Sequence, residues 1–336
     1  MENRILSFKK SEYDPFIDYI KGFSILSVII LHSTPVSVLK VSLGCLWISM
    51  CVPLFLLVQV FHAYKKRSNI TYPNMAKTWY RIIKPFVLVQ LFLLVYLLVR
   101  RFLDGDINLY FFFKEFIISG GNGPGSYYFW IYLQFAFILP LFSNFLYKNS
   151  FKRIFAIFIL ISLLVEIVFS YSTAEPLYRL FLGRYLILIP LGYMLAFKGY
   201  TLNFKTCFAG GVSALFVCLF YYKTPNVEPL VYDTGWNIHH WFQFFWLIPL
   251  MFILKYSYLR LNQYKIISYF KSFGKYSYEI YLFQMVWFTL PFYKILELIT
   301  HTKYIAIALW PLISIFICCF GLSWFLNKKY GIKKKK

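Results

Sequence analysis

Three ionisable residues stand inside one apolar run, FIDYIKGFSILSVIILH, residues 16 to 32: Asp18, Lys21 and His32. A charge in a hydrocarbon-spanning helix costs roughly 2.5 to 3.5 kcal/mol at the bilayer centre, so each of the three needs a partner or a task. Lys21 and His32 are eleven positions apart, which in an α-helix is three turns plus about 20°, or about 16 Å along one face. Asp18 precedes Lys21 by one turn on the same stripe. A histidine with an ordinary pKa of about 6.5 can act as a general base at neutral pH, and a cation aligned with it can hold an anionic group. The alternative for these residues is structural: an Asp18–Lys21 interfacial pair with Lys21 reaching the headgroups, and a His32 hydrogen bond to a neighbouring helix.

These side chains are positioned by a chain with the composition of a membrane protein. Of its 336 residues 60% are hydrophobic and 14% charged, whereas soluble domains carry about 25% charged residues. The expected fold class is all-α, a polytopic bundle of about ten transmembrane helices in one domain over residues 1–336, with a short basic tail at 327–336. The spans are expected near residues 17–37, 43–63, 82–99, 127–147, 152–170, 178–197, 204–222, 239–257, 276–296 and 304–326, the first acting as a retained signal-anchor. With both termini in the cytoplasm, roughly 25 Lys and Arg fall in inner segments against about nine outside, the bias that orients membrane proteins. Asp104, Asp106, Glu175, Glu228 and Asp233 then all fall in outer loops.

That distribution also accounts for the net charge of +22. The basic residues alternate loop by loop and form no continuous surface for a duplex, so nucleic acid is not an expected partner; the lipid bilayer is. The six cysteines read as small buried hydrophobes without metal-ligand spacing, and no metal is expected. Tyr127, Tyr128, Trp130, Trp236 and Trp241 suit interface belts at span ends. Further ionisable residues fall in predicted spans: Glu166, Arg184 and Glu279 within them, Arg179 and the His239–His240 pair at their starts. Arg184 is the strongest candidate of these for contacting a substrate or a developing oxyanion. Glu166 and Glu279 suit structural ion pairs, and neighbouring His239 and His240 face different sides of a helix.

The Asp-Tyr-Ile-Lys-Gly start with a later histidine resembles the acyltransferase 3 family of bacterial membrane acyltransferases, whose first span carries a basic residue, ten intervening residues and a histidine. The likeness extends over most of the chain. CVPLFLLVQVF resembles the family's second span, although its small-residue pair is missing, and the stretch Trp79, Arg81, Lys84, Pro85 is similar to an Arg-rich entry into the third. GPGSYYFWIYLQF, LGRYLILIPLGYMLAF and FGKYSYEIYLFQ resemble later family segments. Two departures stand out: Lys21 where the family has arginine, which keeps the charge without a bidentate fork, and Gln284 where histidine is common, which leaves hydrogen bonding as its role.

The resemblance implies transfer of an acyl group, commonly acetyl, from cytoplasmic acyl-CoA to a hydroxyl of a surface polysaccharide or its lipid-linked precursor, in the bacterial cytoplasmic membrane. His32 is the expected catalytic residue. Lys21, Arg81 and Lys84 are the expected donor-binding cations, because acetyl-CoA is a polyanion confined to the inner face. Asp18, Arg184 and Gln284 are the expected substrate contacts. A flippase for lipid-linked oligosaccharide, a polysaccharide exporter or a polymerase would also want a polar path through many helices; the absence of internal repeats argues against the transporters and the short outer loops against the polymerase.

Overall fold

A computed structural model describes residues 14–65, 72–105, 109–170, 175–198, 203–221 and 240–333. The described residues are mostly helical, with no strand. In chain order the helices are α1 (Pro15–Ser33), α2 (Val36–Val41), α3 (Gly44–Trp47), α4 (Cys51–Lys65), α5 (Tyr72–Leu103), α6 (Leu109–Ser119), α7 (Ser126–Lys148), α8 (Phe151–Ser170) and α9 (Glu175–Leu180). They continue with α10 (Leu188–Lys198), α11 (Phe204–Tyr221), α12 (Leu247–Leu261), α13 (Lys265–Lys275), α14 (Ser277–Thr289), α15 (Phe292–Thr300), α16 (Lys303–Ile315) and α17 (Leu322–Lys333). Short 3-10 turns at Leu182–Tyr185 and Trp241–Trp246 lead into α10 and α12, and a π-helical turn at Phe316–Gly321 joins α16 to α17.

Each span expected from the sequence has a helix over most of its described length. Five of these, Pro15–Ser33, Gly44–Lys65, Trp79–Leu103, Trp241–Leu261 and Lys303–Lys329, are long and apolar enough by themselves to cross a bilayer among the described residues. A sixth arises if α14 and α15, bent by 56°, form one span. The apolar stretches Ser126–Phe142, Leu182–Phe197 and Phe204–Leu219 are shorter. The sequence-based count of ten is therefore larger than the described helices establish by length and composition, and two of the expected spans are interrupted where the sequence reads as continuous. Leu290–Pro291 breaks one and the 3-10 turn at Gly183–Arg184 another. Both ends of the chain, residues 1–13 and 334–336, lie outside the described residues.

α1 is the central helix. Asp14 caps it by accepting from Phe16 N at 3.1 Å, Pro15 supplies a pre-set φ at the first turn, and Thr34–Pro35 ends it. It packs against α4, α12, α13, α14 and α16, and two-thirds of its apolar window is buried. α5 is the opposite case: 17% of its window is buried, with Leu88, Leu91, Phe92 and Val95 exposed along its length. Such an apolar band is stable against lipid and unfavourable in water.

Two glycines allow α1 and α13 to cross backbone to backbone. A Cβ on Gly22 would stand 1.9 Å from the Phe270 carbonyl oxygen, and one on Gly274 would stand 1.7 Å from that of Asp18. A second close fit is the strap of residues 120–125 between α6 and α7. The Gln90 amide on α5 both donates to Asn122 O (3.0 Å) and accepts from Asn122 N (2.7 Å). Gln284 Nε2 donates to Pro124 O at 2.9 Å and Tyr281 Oη to Gly125 O at 3.0 Å. Gly121 (φ 110°) and Gly123 (φ 92°) adopt backbone angles closed to other residues, and a Cβ on them would meet Gln90 and Met285 at 2.8 and 2.9 Å.

Candidate active site

A cavity of about 1120 Å³ is enclosed by α1, α4, α5, α7 and α14, larger than the 300 to 1,000 Å³ usual for small-molecule pockets. Lys21, Val28, Leu31 and His32 come to its wall from α1, and the helical rise sets Lys21 and His32 about 16 Å apart along it. Arg81, Ile82 and Pro85 come from α5. Cys51, Val52, Phe55, Val58, Gln59, His62 and Ala63 form a complete stripe of α4.

Lys21 is held by Asp18, whose carboxylate oxygen is 2.6 Å from Nζ. Asp18 is buried and is not a wall residue; it fixes the ammonium from behind. His32 packs on the Phe288 ring, 6.0 Å between centroids. Arg81 is exposed into the opening, and Pro85, four residues on, lacks the N–H that would bond the Arg81 carbonyl. Lys84 is exposed on the same helix and does not reach the wall. Gln284 is fully buried and spends its amide on the strap.

Several wall residues lay outside the sequence reading of a site. Lys275, at the end of α13, lines the cavity with Lys21 and Arg81, so three cations face a single carboxylate, that of Glu279, among the lining residues. This excess attracts anions. His62 adds an imidazole from α4. Tyr127, Tyr128, Tyr132, Tyr278 and Tyr281 make the wall aromatic. Tyr128 meets Tyr281 edge-on at 5.5 Å, Tyr278 donates to the Ile82 carbonyl, and Gln59 Nε2 donates to Tyr132 O at 3.1 Å. The signal was present in the spacing: residues 52, 55, 59, 62 and 128, 132, 136, 139 each recur at three or four positions, the mark of one helix face. Without tertiary contacts such a stripe is indistinguishable from core.

Arg184 stands one ring behind the wall. It is fully buried, with its guanidinium 4.6, 5.4 and 5.6 Å from the ring centres of Tyr185, Tyr127 and Tyr178. Such contacts contribute about 2 kcal/mol when desolvated, and Tyr127 is shared with the cavity. Tyr178 also reaches Glu166, whose Oε1 accepts from Trp241 N at 3.0 Å and from Tyr178 Oη at 3.5 Å. Glu166 Oε2 lies 3.4 Å from His240 Nδ1. Glu166 is thus part of a buried structural cluster with His240, Tyr178 and Trp241, while Glu279 faces the cavity. His239 and Trp236 lie outside the described residues.

The arrangement offers three cations for a polyanion, an aromatic wall, and an imidazole about 16 Å from Lys21 along α1. No curated protein and no solved structure matches the chain. A family model described as an acyltransferase domain matches residues 14–328, a range that contains every wall residue of the cavity. On that match the protein is a membrane acyltransferase, and the chain belongs to the acyltransferase 3 family.

Proposed function

We propose that the protein is an O-acyltransferase, with acetyl-CoA as its donor and a sugar hydroxyl of a surface polysaccharide or its lipid-linked precursor as its acceptor. The observation that carries this reading is the presence of Lys21, Arg81 and His32 on the wall of one cavity. The donor enters from the cytoplasm, and Lys21, Arg81 and Lys275 bind its phosphates, each charge-assisted contact contributing about 1.5 to 3 kcal/mol. The pantetheine arm follows the tyrosine-lined wall, and its thioester comes to His32. As the acceptor oxygen attacks the thioester carbonyl, His32 takes the hydroxyl proton; collapse of the tetrahedral intermediate breaks the C–S bond, and the departing thiolate takes that proton to leave as CoA thiol. Arg184 acts through Tyr127, holding the ring that borders the acyl group. The topology belongs to the same proposal: ten spans in the bacterial cytoplasmic membrane, both ends in the cytoplasm.

The test is mass spectrometry of surface glycans from wild-type and His32→Ala cells. Glycan of normal chain length lacking O-acyl groups, with the variant inserted at normal levels, is the expected outcome. Unchanged acylation would remove His32 from the chemistry, and loss of the glycan or accumulation of inner-leaflet intermediates would point to export or polymerisation instead.

A further inference from the structure

Cys45 and Cys218 are 173 positions apart in the chain, yet their Sγ atoms lie 4.0 Å from each other. The contact belongs to a packed junction: α3, which carries Cys45, packs on α11, which carries Cys218, and both border the 3-10 turn at 241–246. Trp246 Nε1 donates to Leu46 O at 2.7 Å, pinning the peptide beside Cys45 to that turn. Ser213 Oγ on α11 donates to Phe242 O and Gln243 O at 2.8 and 2.7 Å, pinning α11 to it as well. The juxtaposition is therefore held from both sides.

Both thiols lie at one end of the molecule. α2 and α3 follow the C-terminal end of α1, and Cys218 is in the last turn of α11. In the topology proposed above this is the outer side, where thiol pairs oxidise and disulfides persist. A disulfide has its sulfurs about 2.05 Å apart, so the pair must close by roughly 2 Å, a distance within reach of rotation about the Cα–Cβ bonds. Cys45 stands on a helix of only four residues entered through Leu43 in the left-handed region (φ 52°), an element that readjusts more easily than a long span.

We propose that Cys45 and Cys218 form a disulfide in the mature protein, clamping the outer end of the cavity wall. α3 leads directly into α4, which supplies Cys51, Phe55, Gln59 and His62 to the cavity, so a cross-link to α11 fixes the height and rotation of that wall. The redox balance is a dithiol–disulfide exchange. A disulfide-carrying oxidoreductase of the outer compartment is attacked by one thiolate, the mixed disulfide is resolved by the second, two protons and two electrons leave the Cys45–Cys218 pair, and the oxidoreductase departs as its dithiol. Cys45 is 1% exposed in the folded chain, so the exchange takes place before α3 seats against α11.

The experiment measures thiols, not acyl transfer, so its result is independent of the catalytic reading; it rests only on the outward orientation, which reporter fusions test separately. Membranes are denatured in N-ethylmaleimide to block free thiols, reduced, and labelled with a maleimide-polyethylene glycol. The wild-type protein should gain two mass tags after reduction and none without it, and Cys207→Ser, which alters an exposed cysteine, should behave the same way. Cys45→Ser and Cys218→Ser should gain none. A wild-type protein with no tags overturns the proposal and leaves an S–H···S contact. Two tags persisting in either single variant assign the bond to another pair and overturn it equally. Should the single variants fail to accumulate, mass spectrometry of the linked peptides from wild-type protein decides the matter.

Discussion

At the scale of single residues, the cavity sorts charges by position along α1. Lys21 is anchored by Asp18 at 2.6 Å, so its ammonium is pre-positioned and little side-chain freedom is lost when an anion arrives. Arg81, exposed into the same opening, has no such carboxylate anchor among the described residues. Replacing Lys21 or Arg81 by Met is expected to raise the KM for acyl-CoA about 10- to 100-fold, the equivalent of one charge-assisted contact, with a smaller change in kcat. Steady-state kinetics on purified protein check this, and a KM unchanged in both variants would remove the phosphate-binding role. Lys84→Met, at a position off the wall, serves as the comparison and is expected to leave KM within about twofold.

The elements are set by where two backbones can touch. α13 lies across the N-terminal half of α1 because Gly22 and Gly274 present no side chain at the crossing, and this brings Lys275 to the wall of the cavity that Lys21 also lines. Gly22→Ala and Gly274→Ala force a methyl to within 1.9 and 1.7 Å of backbone oxygens. Each is expected to cost about 1 to 3 kcal/mol or more, because backbone cannot rotate away as a flexible side chain can. Thermal unfolding in detergent should show both variants well below wild type, while Gly211→Ala, which meets nothing within 4 Å, should match or exceed it through reduced freedom of the unfolded chain. Equal midpoints for all three would mean that the crossing is not a close contact. Gln90 and Gln284 play the corresponding part for the strap 120–125, whose Gly125 closes the cavity between Tyr128 and Tyr281.

For the whole molecule the open quantity is how many times the chain crosses the bilayer. Ten crossings with inner ends require that reporters fused after Lys148 and after Lys336 report the cytoplasm, and one inserted after Asp104 reports the outside. Opposite readings at Lys148 and Lys336 would mean an odd number of crossings between them and would overturn the count. Reporters inserted after Val41 and after Tyr221, both expected outside, orient Cys45 and Cys218.

Much of this was legible in the chain because a bilayer imposes simple rules. Apolar runs and a helical period of 3.6 fix helicity, membrane character and the alignment of Lys21 with His32 before any contact is known. Those are properties of single segments meeting a uniform solvent. Which stripes face one another is not such a property. Tyr127, Tyr128 and Lys275 look like interface belt and topology signals until α7 and α13 are placed against α1. Lys84 looks equivalent to Arg81 until the rotation of α5 is fixed, and Gln284 is found holding Pro124 only once the strap is folded beneath it. Tertiary packing decides these because a side chain's partner in hydrocarbon is chosen by the fit of neighbouring helices, at glycines such as Gly22 and Gly274, and not by hydropathy, which is alike on every lipid-soluble face.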